Sequence, residues 1–188
     1  MKKKLLALSL CSIIAILAIT GASLAWLQDT TDTITNTFTY GDINIQLVEN
    51  SGSSYKMVPG DKIAKDPKIT VETGSEDCWL FVKIEKSANY STYLEDYILA
   101  DGWIALAGQT GVYYREAVAG NEFNVLANGG SGYENGYVQV KTSVNKTQME
   151  AIKSTGMPTL SFTAYAVQKS NVTTASDAWN ILFPPSNT

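Results

Sequence analysis

The chain has 188 residues and no histidine. That absence removes the commonest general base, the usual zinc ligand, and the Ser-His and Cys-His nucleophile pairs together. Cysteine is scarce as well: Cys11 and Cys78 are the only two, and no paired-cysteine metal motif exists. H-E-x-x-H, a phosphate-cradling glycine loop and an EF-hand loop are also missing. Adjacent acids do occur, Glu76 with Asp77, and Asp29 near Asp32. In turns, such acids read as solvated surface. Serines and lysines are scattered with no spacing that signals a Ser–Lys dyad. The sequence therefore predicts no catalytic residue, no metal and no cofactor.

What the chain does have begins at its N-terminus. Lys2, Lys3 and Lys4 precede an apolar run, Leu5 to Ile19, interrupted only by Ser9 and Ser12. Ser23 and Ala25 then place small residues three and one before a cut ahead of Trp26. A basic start, an apolar run of roughly 7–15 residues and such a site make a secretory signal peptide. A membrane span needs about 20 apolar residues, so an uncleaved anchor is the less economical alternative. Residues 1–25 are read as signal peptide, with cleavage between Ala25 and Trp26.

Cleavage leaves 163 residues and removes three lysines, so 11 basic residues face 18 acidic ones. A mildly acidic product has no electrostatic reason to seek nucleic acid or an anionic membrane, and membrane contact is expected only before cleavage. Cys11 leaves with the signal, and Cys78 is left without a partner in the chain. Set in an apolar run, it reads as a small buried hydrophobe with an inert thiol. A domain of about 160 residues buries enough surface to fold without staples.

The remainder alternates as β structure does. In Thr33 to Tyr40, the residues Ile34, Asn36, Phe38 and Tyr40 share one face and threonines the other; Ile43, Ile45 and Leu47 resume the period after Gly41-Asp42. Pro59-Gly60 marks a turn, Lys68 to Thr73 an extended run, and Cys78 to Ile84 a central strand covered on both faces. Tyr93 to Leu99 predicts a short helix, and Gly102–Leu106 with Val112–Glu116 a hairpin. Glu122 to Leu126 predicts a strand, and Asn128 to Gly136, with four glycines, a mobile loop. Tyr137 to Val144 is the best alternating strand in the chain. Asn145 with Gln148 forms a capping box opening a helix to about Ser154, stopped by Gly156 and Pro158. Thr159–Gln168 predicts a further strand and Ala175–Leu182 a closing helix. About eight short strands with two or three small helices suggest an all-β, jelly-roll-like β-sandwich in one domain, 38–188.

Some of these motifs together resemble the TasA/camelysin (CalY) family of exported Gram-positive matrix proteins. They are Ala25-Trp26, the acidic and threonine-rich Asp29 to Asp32, Asn36-Thr37-Phe38-Thr39-Tyr40-Gly41-Asp42-Ile43, and Pro59-Gly60-Asp61-Lys62. A weaker resemblance runs through Lys65-Asp66-Pro67, Gly74 to Cys78 and Phe162 to Gln168. The resemblance implies a jelly-roll domain, processing by a SipW-type signal peptidase, and secretion into the extracellular matrix or onto the cell surface. It also implies assembly into biofilm fibres by donor-strand exchange. The peptidase activity attributed to some members does not carry over, because one mature cysteine and no histidine leave no zinc ligand set.

The expectation is a secreted fibre subunit that polymerises with itself. Residues 26–37 are the candidate donor strand, with Trp26, Leu27, Ile34 and Asn36 as its contact residues. Phe38, Ile43, Ile45 and Leu47 would anchor the following strand in its own core. The alternative is a monomeric surface-binding module without catalytic activity, using loops such as Asn128 to Gly136.

Overall fold

The strand Cys78–Lys86 organises the molecule because it has neighbours on both sides and apolar residues on both faces. In the computed structural model, which describes residues 42–51 and 56–185, Leu80, Phe81, Val82 and Cys78 of this strand are fully buried. Even-numbered Cys78, Leu80, Val82 and Ile84 enter one core cluster, and odd-numbered Trp79 and Phe81 enter another. That division follows from the two-residue period of a strand. Burial of each large apolar side chain contributes about 1.5–3 kcal/mol.

Nine strands are found among the described residues, in the order β1 (Ile45–Val48), β2 (Lys62–Ala64), β3 (Lys68–Val71), β4 (Cys78–Lys86), β5 (Ile104–Ala105), β6 (Val112–Ala117), β7 (Glu122–Asn124), β8 (Tyr137–Gln139) and β9 (Leu160–Gln168). Three short helices accompany them: α1 (Tyr90–Tyr93), α2 (Lys146–Thr155) and α3 (Ala175–Leu182). The fold is mainly β, and all strand pairs are antiparallel. One sheet has the order β1-β3-β7, a second β2-β8, and the largest β5-β6-β4-β9. Ile69 and Val71 from β3 share a core with the even residues of β4 and with Phe162, Ala164 and Ala166 of β9. Helix α3 covers the opposite face of the large sheet, packing Ala178 and Trp179 against Phe81, Tyr165 and Val167. A third cluster gathers Tyr90, Tyr93, Val140, Val144 and Ile152 around α1, β2 and α2.

Local signals explain the helix ends. Asn145 accepts from the Gln148 amide while the Gln148 side chain accepts from the Asn145 amide, both at 3.0 Å. Gly156 closes α2 at φ 81°, a conformation glycine adopts without a side-chain clash. Thr174 caps α3 by accepting from the Asp177 amide.

Three expectations are corrected. The helix expected over Tyr93–Leu99 lies earlier, at Tyr90–Tyr93. It stops because Leu94 turns extended and bridges Val140, and the Glu95 amide donates to the Gln139 carbonyl. The long strand expected over Tyr137–Val144 pairs only over Tyr137–Gln139, with a bridge at Val140. Its partner β2 has just three residues, and beyond it the Pro59-Gly60 turn leaves only Val140 bonded, accepting from the Gly60 amide and donating to the Asp61 carbonyl. The alternation persists because Val138, Val140 and Val144 are all buried.

The third correction concerns Asn128–Gly136, which is tied down rather than mobile. The Gly129 and Gly136 amides both donate to the Tyr133 carbonyl, and the Tyr133 amide donates to Gly130. Lys62 anchors the loop from outside. Its ammonium donates to the Gly129 carbonyl at 2.9 Å and lies 4.3 Å from the Tyr137 ring centroid. Two of the glycines permit close packing: a Cβ on Gly129 would overlap the Tyr137 ring, and one on Gly136 would strike the Lys65 carbonyl and Leu126.

Candidate functional site

The outer strands of the two facing sheets meet along one side of the shared core, and this seam is the candidate site. β1 is an outer strand of the three-stranded sheet, and β9 of the four-stranded sheet. Among the described residues no strand lies beyond either, and no backbone hydrogen bond joins the two. A groove of about 520 Å³ opens beside them. Leu47, Pro67, Leu160 and Phe162 give it an apolar lining, with Pro158 at one end. At its rim the Lys65 ammonium stands 2.6 Å from the Glu49 carboxylate.

Exposure reports the same opening. Ile43, Ile45 and Leu47 pack against the shared core but remain only partly buried, as do Phe162, Ala164 and Ala166 of β9. On the far side of that core Val125 and Leu126 are sealed. Apolar residues also meet solvent on the β5 side, where Ile98 and Ile104 are exposed and Leu99, Ala100 and Phe123 are partly buried.

β9 itself has an unusual makeup for an outer strand. Its nine residues, L-S-F-T-A-Y-A-V-Q, contain neither a charge nor a proline. The register with β4 runs unbroken from Cys78 opposite Gln168 to Lys86 opposite Leu160, so no bulge twists the edge away. Natural sheets blunt their outer strands with charges, prolines, bulges or shortness, because a bare edge is a template for another chain.

One carboxylate braces the end of the seam. Asp66 accepts from the amides of Asn50 and Ser51, at 3.0 and 2.7 Å, and so ties the chain after β1 to the turn before β3. Burial alone would raise its carboxyl, but the hydrogen bonds from the Ser51 hydroxyl and these amides outweigh it and hold the pKa below the usual range.

The other residues singled out from sequence are dispersed. Ala25, Trp26, Leu27, Ile34, Asn36 and Phe38 lie outside the described residues, as do Cys11, Asp29 and Asp32. Cys78 is a fully buried free thiol, pushed up to about 11 by burial and then by the neighbouring Asp77 carboxylate. Glu76 and Asp77 are exposed. Among the described residues no group of three cysteine or acidic side chains is placed to hold a metal, and no helix is long and apolar enough to cross a membrane. The sequence reading identified β9 as an alternating strand but missed Leu160, Phe162, Pro67 and Pro158 as groove residues. The available signal was a nine-residue strand with no gatekeeping charge. Comparison with known protein families, characterised proteins and solved structures finds no match.

Proposed function

We propose that this chain is an exported structural subunit, a jelly-roll-like β-sandwich that polymerises with copies of itself into an extracellular matrix fibre. The observation that carries the reading is the long uncharged edge of β9 beside an apolar groove. An extended segment laid along that edge would take its main-chain hydrogen bonds from β9 and sink alternate side chains between β9 and β1. Residues 26–37 supply a segment of that kind, with Ile34 on one face and threonines on the other. Addition from one copy to the next does not close on itself, and a head-to-tail contact that fails to close yields a filament.

Export would control the timing. A SipW-type signal peptidase cutting between Ala25 and Trp26 frees the segment, which until then is tethered at the membrane through residues 1–25. The protein would act without catalytic residues, cofactor or nucleic acid, in the extracellular matrix or at the cell surface. The resemblance of Asn36 to Ile43 and of Pro59 to Lys62 to the TasA/camelysin pattern supports the same reading.

Size exclusion and electron microscopy of the mature protein, with and without Trp26–Asn36, test it. Fibres or oligomer ladders from the full mature chain that vanish on truncation are expected. A well-folded monomer in both cases would instead favour a surface-binding module.

A further inference from the structure

We infer that the guanidinium of Arg115, held between the Phe123 ring and the Gly102 turn, is a binding site for a single carboxylate, whether free or carried by a peptide. Arg115 stands opposite Leu80 in the β4–β6 register, and residues so paired share a face, so it points to the side of the sheet that carries the shared core. β9 lies on the other side of β4, and the inference does not rest on the assembly reading.

Arg115 is the only arginine in the chain, and its charge is unanswered. Lys65, Lys68, Lys83, Lys86, Lys146 and Lys169 each stand beside a carboxylate, whereas Arg115 has none among the described residues. Glu116, next along β6, turns to the opposite face and pairs with Lys169. At Asp101 it is the backbone carbonyl that accepts from Nη1, at 3.4 Å, beyond the ordinary ~2.7–3.2 Å of such bonds. The Nε donor is buried with no acceptor. Buried donors in folded proteins nearly always find one, so this cation has fewer acceptors than its place calls for.

Its neighbours hold the guanidinium without neutralising it. The group lies 4.0 Å from the Phe123 ring centroid and 5.4 Å from that of Trp103. The Gly102 backbone sits so close that a Cβ there would come 2.9 Å from Nη2. Nη2 donates to no protein acceptor among the described residues and, unlike Nε, is open to solvent. A fork fixed in this way loses little freedom when it binds.

The chemistry of the open end selects the ligand. The two oxygens of a carboxylate can take the free N–H groups of Nη1 and Nη2 together. Partial desolvation, which lowers the Arg115 pKa from its usual range, also strengthens the attraction for an anion. The guanidinium stays charged at any ordinary pH. One cation matches one negative charge, and a phosphate dianion would want a second. Lys68 does not supply it, because it alternates with the buried Ile69 on β3 and pairs with Glu122.

NMR of the mature full-length protein grown on nitrogen-labelled arginine tests the site. One arginine gives one set of guanidinium signals, read in solution or, for assembled protein, by magic-angle spinning. Acetate and a glutamate capped at both ends are the carboxylate probes, acetamide the neutral isostere and phosphate the dianion. At least one carboxylate probe is expected to shift the signals saturably with a dissociation constant of about 10 mM. Phosphate should bind less tightly, and acetamide should give no saturable shift. Tighter binding of the capped glutamate than of acetate would assign a peptide source, and the reverse a free carboxylate. In variants the Gly102 amide signal reports binding. Arg115→Lys keeps the charge but loses the fork and should weaken binding about fivefold, and Arg115→Gln should abolish it. Near-UV circular dichroism confirms that each variant is folded; if Arg115→Gln is not, Arg115→Lys decides. No saturable shift with either carboxylate, an equal response to acetamide, tighter binding of phosphate, or undiminished binding in the folded variants would overturn the inference.

Discussion

The four-stranded sheet has two edges, and they are treated in opposite ways. At one edge β5 is only two residues long, Ile104–Ala105, and the chain beside it is stitched to the neighbouring layer. The Ala100 amide donates to Val125, the Ala127 amide to Ile98, and the Trp103 indole to Asn124 at 2.9 Å. Arg115 stacks there with its guanidinium 4.0 Å from the Phe123 centroid. At the other edge β9 is nine residues long, uncharged and unbulged. A short laced edge offers little to pair with, whereas a long one with no strand beyond it among the described residues is a liability unless it has a use. The asymmetry is the physical basis for placing an intermolecular contact at β9.

The largest expected effect is on assembly. Thr163→Lys puts a charge on the exposed middle of β9, and fibres should disappear by electron microscopy while the fold survives. Ile104→Lys, at the short edge, should leave fibres intact. Equal loss from both, or from neither, would break the comparison.

Stability sharpens it next. Leu80→Ala, at the fully buried centre of β4, should cost about 3 kcal/mol in a urea titration. Phe162→Ala, on the half-open seam, removes a larger side chain, yet should cost about 2 kcal/mol or less in the truncated monomer, because part of its surface is already in water. A larger loss from Phe162→Ala than from Leu80→Ala would show the seam to be sealed.

Gly136→Ala tests the closed side. Gly136 sits at φ 126°, and an added Cβ would meet Leu126 and the Lys65 carbonyl. Strain and overlap should together cost about 2 kcal/mol, visible as a lower melting temperature.

The smallest effect concerns acid. The folded pKa of Asp66 lies below its usual value near 3.8, so the stability it contributes is present above that pH. This contribution is lost as pH falls through the folded pKa. Asp66→Asn should therefore lose about 1 kcal/mol at pH 7, a figure discounted for solvent at this half-exposed site. The gap to the unsubstituted protein should close as the pH falls through the folded pKa. A gap that stays constant with pH would remove the carboxylate from the account of the seam.

Much of the fold was legible because its signals are local. The apolar run at Cys78–Ile84 marked a doubly covered strand, Asn145 with Gln148 marked a helix start, and Thr159–Gln168 showed the β9 alternation. What was hidden depends on partners distant in sequence. The length of β8 is set by the three residues of β2, not by the alternation that runs on to Val144. The loop Asn128–Gly136 looks loose from its glycines, but it is held by Lys62. The groove likewise assembles Leu47, Pro67 and Phe162 from three separate stretches, and no local pattern announces which strand will end a sheet.

Amide hydrogen exchange on the mature protein, assembled and as the monomer lacking Trp26–Asn36, tests strand addition at β9 most directly. The relevant amides are those of β9 that point away from β4, alternate residues along the strand. They should exchange rapidly in the truncated monomer and become protected in the fibre, while the short β5 edge stays unchanged. Equal exchange at β9 in both forms, or new protection confined to β5, would contradict it.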